Sequence, residues 1–254
     1  MNWIACYTLF RKEKARFLKV WLQTVLAPVV TSLLYLLVFG HVLEGRVEVF
    51  EGVSYVAFLI PGLLMMAVIQ NAFANSSSSL IQSKVMGSLI FILLPPFSAL
   101  ELYLAYISAA VMRGLLVGLG VFLLALFYVR VPVENIFIVL GFAFLGSYIM
   151  ASLGLIAGMW AEKFDQIAAF QSFIIVPMTF LSGVFYSINS LPPFWSTVSK
   201  FNPFLYMIDG FRYGFFGQSD QPVLLSFAIM LVVALVLTVL CVSLLKRGYK
   251  LRDA

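Results

Sequence analysis

Residues 182–217 read SGVFYSINSLPPFWSTVSKFNPFLYMIDGFRYGFFG, a stretch rich in aromatic residues yet interrupted by prolines and charges. It is too polar and too broken to cross a membrane as one helix, although strongly apolar segments flank it on both sides. Irregular backbone persists at membrane depth only where protein or water surrounds it. We predict two short helices, about Pro193–Phe201 and Leu205–Phe216, that dip into the membrane and separate at Asn202–Pro203. An ordinary aromatic-rich outer loop is the alternative interpretation.

The composition of the chain is typical of a membrane protein. Of its 254 residues, 63% are hydrophobic and 11% are charged, whereas soluble domains have about 45–50% apolar and about 25% charged residues. A hydrocarbon core about 30 Å thick needs about 20 apolar residues in a helix. We therefore predict an all-α membrane protein that forms one domain over residues 1–254. Its six predicted transmembrane helices are Val20–Val42, Val56–Ala74, Leu102–Val129, Ile136–Ala161, Ile167–Tyr186 and Val223–Leu245.

Basic residues predict the orientation, because the cytoplasmic loops of membrane proteins carry an excess of Lys and Arg. With the N-terminus inside, eleven of the sixteen basic residues lie on the cytoplasmic side, and Arg113 lies within a span. The four that remain outside are Arg46, Arg130, Lys200 and Arg212. Both termini are therefore expected in the cytoplasm.

Residues 1–19 predict a basic amphipathic helix that lies in the plane of the membrane interface. Its polar face carries Lys12, Arg16 and Lys19. At about 100° per residue, five aromatic residues fall on the other face: Trp3, Tyr7, Phe10, Phe17 and Trp21. Such a helix either anchors the first span only or also offers a surface to a cytoplasmic partner.

A second cytoplasmic element is predicted over residues 76–92. Its four leading serines can cap a helix N-terminus, apolar residues then recur at helical spacing, and Pro95–Pro96 end the segment. A short helix across the cytoplasmic face could receive force from a soluble protein, or it could be a plain connector. The residues expected on its contact surface are Leu80, Ile81, Lys84 and Val85.

Charged residues inside a membrane span are candidates for function because their burial is costly. Arg113 lies near the middle of the third span, and Glu101 is not its obvious partner because twelve residues of helix separate them by about 18 Å. Arg113 therefore needs a water-filled cavity, a backbone carbonyl group or another subunit. Asp209 and Arg212 are three residues apart on the second short helix and are predicted to neutralise each other.

Several motifs that carry chemistry are absent from the sequence. It holds no G-x-x-x-x-G-K-[ST] phosphate-binding loop, no His and Cys set for zinc and no Ser–His–acid set for nucleophilic catalysis. We expect no cofactor and no metal on this chain, and no enzymatic activity of its own. The energy for any transport would then come from a separate protein.

Two segments, FLSGVFYSINSLPPFW (180–195) and NPFLYMIDGFRYG (202–214), resemble the signature region of ATP-binding-cassette type-2 (ABC-2) permeases. These are the membrane subunits of bacterial exporters for drugs, polysaccharides and lipid-linked glycans, and the resemblance covers nearly the whole chain. It implies a homodimer together with two copies of a separate ATPase, which binds the ATP. It also assigns Ser77–Leu89 as the coupling helix that docks on the ATPase, and Pro192–Gly217 as re-entrant helices that cap the outer exit.

The function expected from this resemblance is that of an export permease in the bacterial cytoplasmic (inner) membrane, moving an amphipathic, lipid-linked or hydrophobic substrate. The alternatives are a channel or ion-coupled carrier with an aqueous path lined by Arg113, and a membrane enzyme that acts on lipid. One departure is Ile90, which stands where many members carry an acidic residue. The residues expected at the translocation path or gate are Arg113, Pro192, Pro193, Asn202, Pro203, Asp209 and Arg212.

Overall fold

The computed structural model describes residues 3–43, 49–50, 52–96, 98–129 and 131–251, without the side chains of residues 41 and 43. Three residues used in predicting the orientation, Arg46, Arg130 and Arg252, lie outside this set. Apart from an isolated bridge between Phe50 and Val53, the regular structure of the described chain is helical. An all-α fold is therefore confirmed over these residues.

The α-helices follow one another along the chain with short connections. They are α1 (Trp3–Lys19), α2 (Ala27–Leu43), α3 (Tyr55–Val85), α4 (Leu89–Leu93), α5 (Ala99–Tyr128), α6 (Ile136–Trp160), α7 (Phe164–Phe170), α8 (Val176–Phe180), α9 (Pro193–Lys200), α10 (Pro203–Phe216) and α11 (Val223–Arg247). One π-helical turn, Leu22–Leu26, leads into α2, and another, Gln171–Ile175, joins α7 to α8.

Within the described residues, five helical segments are long and apolar enough to cross a membrane: Leu22–Gly40, Tyr55–Val85, Ala99–Tyr128, Ile136–Trp160 and Val223–Arg247. The fifth predicted span, Ile167–Tyr186, is instead a shorter apolar helix over Phe164–Phe180. It ends at Phe180, the chain turns over residues 181–183, and the φ of +78° at Gly183 excludes a helical continuation. The sequence-based length of this span is therefore wrong at its C-terminal end.

The bundle has two ends, which we name after the helices that lie there. At the α1 end, the Cys6 thiol of α1 contacts the carbonyl oxygen of Glu101 in the first turn of α5 at 3.6 Å. At the α10 end, the Tyr55 hydroxyl at the start of α3 donates to the Phe185 carbonyl at 2.9 Å. The Asn135 N–H before α6 donates to the Gly214 carbonyl of α10, also at 2.9 Å.

Helix α3 is the centre of the fold, and most of its residues are buried, with α5 and α6 as its main neighbours. The close approach of α6 requires a residue without a side chain. A Cβ atom built at Gly154 would overlap the Phe73 carbonyl oxygen and the Ser76 hydroxyl of α3. Small residues serve this purpose in membrane helices generally, because they let two backbones approach.

The four serines of residues 76–79 do not cap a new helix, because α3 continues through them to Val85. Their hydroxyl groups find acceptors that leave the helix intact. Ser77 donates to the Phe73 carbonyl one turn earlier at 2.8 Å, and Ser76 donates to the Ala151 carbonyl of α6 at 2.7 Å. The prediction of one separate helix over residues 76–92 is therefore wrong. The separate helix in this region is α4, which begins after Gly87, whose φ is +66°.

Helix α1 packs on α5, and the face that it buries includes Phe17 but not the other aromatic residues of the predicted face. Leu9, Glu13 and Phe17, which are four residues apart, are the buried side chains of α1. Trp3 and Tyr7 are 68% and 64% exposed. Location of these exposed aromatic residues at the membrane interface remains a prediction.

Candidate functional site

The predicted coupling residues mostly face the interior of the chain. Leu80 and Ile81 are buried, since α3 carries them into the core beside α6. The Lys84 ammonium donates to the carbonyl oxygens of Met159 and of Ala161, the latter at 3.1 Å. Leu80, Ile81 and Lys84 therefore cannot act as exposed anchors in this conformation. Val85, which is 55% exposed, is the predicted coupling residue that remains accessible.

An exposed apolar surface does exist at this place, but it begins at Val85 and extends through α4. Leu89 is buried while its neighbours Ile90 and Phe91 are 56% and 74% exposed, so α4 turns one side inward and the other outward. We call the outward group the α3–α4 surface; its members are Val85, Met86, Ile90, Phe91 and Leu94. Ile90, the residue that departs from the family pattern, lies within it.

Two lysines near the α3–α4 surface form hydrogen bonds with groups at the C-terminal end of α6. Lys84 binds the carbonyls described above, and Lys250 contacts the Trp160 carbonyl at 3.4 Å and the Glu162 carboxylate at 2.7 Å. Cations are favourable at a helix C-terminus because they interact with the helix dipole. The hydrogen bond from Lys250 lowers the pKa of Glu162 and raises the pKa of Lys250. The end of α3 is thereby tied to the end of α6.

A fully buried carboxylate, Glu13 of α1, was missed by reading the sequence. It accepts a hydrogen bond from the Ser79 hydroxyl at 2.5 Å, and it forms ion pairs with Lys12 at 2.9 Å and Arg16 at 3.2 Å. An isolated acidic residue among five basic ones in this helix, three residues from Arg16, was the available signal. Glu13 joins α1 to α3.

The Arg16 guanidinium completes this connection. It donates to both the backbone carbonyl and the side-chain oxygen of Asn75, at 2.9 and 3.0 Å, and to the Ser78 hydroxyl at 3.3 Å. Glu13 and Arg16 therefore bind the stretch of α3 that includes the serine run. We call these five residues, Glu13, Arg16, Asn75, Ser78 and Ser79, the α1–α3 polar cluster.

Arg113, in the middle of α5, is paired with a residue that the sequence alone did not suggest. Its guanidinium donates to the side-chain oxygen of Asn71 on α3 at 3.2 Å, while its buried Nε atom has no protein acceptor. Glu101 forms a capping box with Ser98 at the start of α5. Asn71 lies one helical turn before Asn75, so Arg113 adjoins the α1–α3 polar cluster.

At the α10 end, the predicted pair of short helices is present as α9 and α10. Pro193 and Pro203 occupy first-turn positions of their helices, where a missing N–H costs little. The Asn202 side chain accepts from the Phe204 N–H at 3.0 Å and donates to the Met178 carbonyl of α8 at 2.6 Å. Pro192 is the residue that precedes α9. These residues determine where the two helices start, and re-entry of the helices into the membrane remains a prediction.

Asp209 and Arg212 of α10 are both buried, and their charges attract each other as predicted, but each makes its hydrogen bonds with other groups. Asp209 accepts from the backbone N–H groups of Asp220 and Gln221 at 2.9 and 2.8 Å. Arg212 instead donates to the Gly183 carbonyl at 2.8 Å and lies 3.8 Å from the centre of the Phe58 ring. The two residues thus bind α10 to different neighbours, one to the segment before α11 and one to α3.

Asp220 is a further polar residue at this end that sequence reasoning overlooked. Its carboxylate accepts from the Ser187 hydroxyl, the Ile188 N–H at 2.8 Å and the Asn189 amide at 3.0 Å. Because Asp209 holds the Asp220 backbone, a continuous chain of hydrogen bonds joins α10 to residues 187–189. Hydrogen bonds thus connect the predicted gate residue Asp209 to the segments around residues 187–189 and 220–221.

Known proteins with similar sequences identify the family. The ABC-2 type transporter family matches residues 4–216, which include the α1–α3 polar cluster, the α3–α4 surface, α9 and α10. The chain belongs to the ABC-2 type transporter family. It is also 38% identical over 254 residues to the inner membrane transport permease YadH of Escherichia coli (strain K12), covering 100% of this chain and 99% of that protein.

More distant relatives point the same way. The chain is 26% identical over 212 residues to nodulation protein J of Rhizobium meliloti (strain 1021), covering 83% of this chain and 80% of that protein. It is 26% identical over 258 residues to nodulation protein J of Rhizobium leguminosarum bv. viciae, covering 97% and 95%. As an ABC-2 family member with several helices able to cross a membrane, the chain is the transmembrane component of a transporter.

The turn that positions the α3–α4 surface can be tested at Gly87. Its φ is +66° and a Cβ there would touch nothing. Gly87→Ala should therefore lower the free energy of unfolding by about 1–2 kcal/mol, because alanine disfavours the left-handed backbone conformation. Gly141 of α6 has equally open surroundings without a positive φ, so Gly141→Ala should stabilise the helix by about 0.5–1 kcal/mol. Denaturant unfolding of purified protein in micelles measures both changes. If both variants changed the free energy of unfolding in the same direction, the turn assigned at Gly87 would be contradicted.

Proposed function

We propose that this chain is the membrane subunit of an ATP-driven exporter that moves an amphipathic, lipid-linked or hydrophobic substrate out of the cytoplasm or the inner leaflet. Family membership and the relative described as a transport permease support a role in transport. The exposed α3–α4 surface is the observation that supports an ATP-driven mechanism, because it offers a separate ATPase an apolar contact on a short helix.

The proposed partner is an ABC ATPase, present in two copies that serve two copies of this chain. ATP binds to that partner, since this sequence lacks a phosphate-binding loop. A helix that docks in a groove does so through a few apolar anchors at helical spacing. Ile90 and Leu94 are four residues apart, Phe91 lies between them, and all three are at least 56% exposed. They replace Leu80 and Ile81 as the proposed anchors.

The proposed orientation places the α1 end in the cytoplasm of a bacterial cell, with the protein in the inner membrane. Among the described residues, basic side chains concentrate at that end, where ten of them lie: Arg11, Lys12, Lys14, Arg16, Lys19, Lys84, Lys163, Lys246, Arg247 and Lys250. Lys200 and Arg212 lie at the α10 end. This asymmetry is the one that cytoplasmic loops show.

Both termini lie on the same side only if the number of crossings is even. We therefore propose that Phe164–Phe180 is a sixth crossing, in addition to the five longer segments. It starts just after α6 ends at the α1 end, and Phe185, soon after it, contacts Tyr55 at the α10 end. Its 17 residues reach about 26 Å at 1.5 Å per residue, close to the hydrocarbon thickness of about 30 Å. The α9 and α10 helices then form a cap on the outer side.

The experiment that tests the ATP-driven function replaces two anchors by carboxylates. Phe91→Asp with Leu94→Asp should leave folding intact, because both side chains are exposed, but it places charges that lack partners in an apolar contact. We expect this variant, purified from membranes, to lose the ABC ATPase that co-purifies with the parent. Mass spectrometry of peptides from the ATPase and substrate-stimulated ATP hydrolysis measure the loss.

The matched control carries two aspartates at the same end of the bundle but on other elements. Phe164 and Tyr249 are 50% and 41% exposed, and Phe164→Asp with Tyr249→Asp should retain the ATPase. Full ATP-driven transport by the Phe91→Asp, Leu94→Asp variant would refute the coupling surface. Transport by the purified parent without any ATPase would refute the proposed function itself.

A further inference from the structure

One side of α3 is accessible and polar in the half of the helix that lies toward the α1 end. From Tyr55 to Ile69 every residue of α3 is buried, whereas from position 70 onward partly exposed residues recur at helical spacing. At about 100° per residue these positions share one face of the helix. Up to Val85, where the α3–α4 surface begins, they are Gln70, Asn71, Ala74, Ser78 and Gln82. We call these five residues the α3 polar stripe.

The α3 polar stripe extends to membrane depth. Asn71 follows Tyr55 by 16 residues, which is about 24 Å of helix at 1.5 Å per residue, and the hydrocarbon core is about 30 Å thick. Lipid-facing positions of the neighbouring α5 are apolar, such as Leu119 and Leu123, which are 53% and 51% exposed. Polar side chains at membrane depth instead face a water-filled cavity or the inside of an assembly. The stripe therefore lines a space that enters from the α1 end and stops, along α3, at Ile69.

Two arginines border the α3 polar stripe. Arg16 of α1 reaches it at Ser78, at 3.3 Å, and is paired with Glu13 at 3.2 Å. Arg113 of α5 donates to the Asn71 side chain at 3.2 Å and is itself partly exposed. The positive charges of the two arginines repel each other. The stripe thus ends, at its deepest part, beside a guanidinium that has a neutral hydrogen-bond partner.

The carboxylates of the described residues do not neutralise Arg113. Glu13 already serves two cations, Lys12 and Arg16. The other acidic residues that the structure describes lie at one end of the bundle or the other: Glu101, Glu134, Glu162, Asp165, Asp209 and Asp220. A second copy of the chain would carry these residues at the same two ends. The charge of Arg113 therefore calls for an anion that is not one of these side chains.

The depth of Arg113 indicates what kind of anion fits. Its partner Asn71 lies about 24 Å from the α10 end of a hydrocarbon core about 30 Å thick, which is just inside the leaflet at the α1 end. At this level the head group of an amphiphile meets its apolar tail. We propose that Arg113 and the α3 polar stripe bind the anionic head group of an amphipathic substrate that enters from this leaflet. The inference rests on the proposed export function and narrows its substrate to anionic amphiphiles.

Binding of radiolabelled hexadecyl phosphate to the full chain in phosphatidylcholine nanodiscs tests this site without any ATPase. We expect binding in excess of that to empty nanodiscs, and competition by unlabelled hexadecyl phosphate. Hexadecanol, which has the same tail without the charge, should not compete, and inorganic phosphate should compete far more weakly. Absence of excess binding would overturn the proposal. Equal competition by hexadecanol would do so as well, and so would equal competition by inorganic phosphate, because the ligand would then be a free anion.

Variants of one arginine test which cation recognises the head group. Arg113→Gln should weaken the binding of hexadecyl phosphate by about 10–100-fold, the factor expected for losing one hydrogen bond to a charged group. Arg113→Lys keeps the charge and should fall between the parent and Arg113→Gln. The matched control is Arg11→Gln, because Arg11 is an exposed arginine of α1 that does not border the stripe. Equal binding by the parent and a folded Arg113→Gln variant would overturn the proposal.

A cysteine scan tests the space itself and leaves every charge in place. In a Cys6→Ser background, Ala74→Cys should react with a charged, membrane-impermeant thiol reagent, and hexadecyl phosphate should protect it. The control, Leu119→Cys, faces lipid and should not react. Three results at position 74 would overturn the proposal: no reaction, reaction without protection, and ready disulfide cross-linking between two copies.

Failure of this inference can be distinguished from failure of the proposed function. If hexadecyl phosphate does not bind but an ABC ATPase co-purifies with the chain and drives transport, the substrate class is wrong and the exporter stands. If hexadecyl phosphate binds as expected but transport needs no ATPase, the site stands and the ATP-driven function is wrong.

Discussion

Arg16→Ala should lower the unfolding free energy of the purified protein by about 3–5 kcal/mol, the usual cost of removing one partner from a buried ion pair. Glu13, which is fully buried, would lose the guanidinium 3.2 Å away. Asn75 and Ser78 would lose their hydrogen bonds from Arg16 as well. Lys12, the other cation on Glu13, cannot compensate fully because its side chain is 46% exposed.

The readout is denaturant unfolding in micelles together with limited trypsin digestion, since a released α1 would unfold more easily and trypsin would then cleave its backbone after the lysines. Arg11→Ala is the matched control, because Arg11 belongs to the same helix but is exposed. A second variant, Glu13→Gln with Arg16→Ala, removes the buried negative charge and should recover part of the loss. If Arg16→Ala and Arg11→Ala behaved alike, the α1–α3 polar cluster would not be what holds α1 to α3.

Arg212→Ala is expected to have an effect of similar size at the opposite end. A hydrogen bond from a charged group, such as the one to the Gly183 carbonyl, contributes about 1.5–3 kcal/mol. A desolvated cation over an aromatic ring, here that of Phe58, contributes about 2 kcal/mol. The loss of both interactions should lower the free energy of unfolding by about 3–5 kcal/mol, because Arg212 is 1% exposed.

Thermal unfolding in micelles measures this change. Arg212→Lys keeps the charge but loses the planar group that stacks on a ring, so it should fall between the parent and Arg212→Ala. Lys200→Ala, at an exposed position in the same region, should leave the midpoint unchanged. A midpoint for Arg212→Ala equal to that of Lys200→Ala would contradict the role of Arg212 in holding α10 against α3.

Several features of the fold followed from local sequence alone, because short-range chemistry determines them. The lengths of the apolar segments indicated a membrane protein, and the structure has five segments of sufficient length among its described residues. The split between α9 and α10 was predicted from Asn202–Pro203, since asparagine caps a helix and proline favours its first turn. Their bounds, Pro193–Lys200 and Pro203–Phe216, differ little from the predicted ones.

The serine run shows where local reasoning stops. A serine hydroxyl can cap a helix or bond back to a carbonyl of the preceding turn within a helix, and the sequence permits both. The outcome depends on partners far away in sequence: Ser76 finds the Ala151 carbonyl and Ser79 finds Glu13. With these partners in place, α3 continues through the run, and the predicted coupling residues Leu80 and Ile81 become buried.

The hydrogen-bond partners of the buried charged residues likewise could not be predicted from the sequence. Arg113 pairs with Asn71, 42 positions earlier. Asp209 and Arg212 attract each other, yet both make their hydrogen bonds with residues that their spacing did not suggest. Each charge instead takes the donors or acceptors that packing brings to it, because a buried charge without a partner is costly. Which partners those are depends on how α3, α5 and α10 meet.

The sequence by itself determined that this protein is a helical membrane protein, because apolar length and turn chemistry are local properties, and its resemblance to ABC-2 permeases indicated the family. Only the tertiary structure decided which side of each helix is exposed. Helix α3 continues beyond its serines, which places Leu80 and Ile81 in the core. The chain turns at Gly87 before α4, which leaves Ile90, Phe91 and Leu94 exposed. Because this chain is so apolar, the pattern of hydrophobic residues does not distinguish the core from a contact surface. Only the packing between helices distinguishes the two.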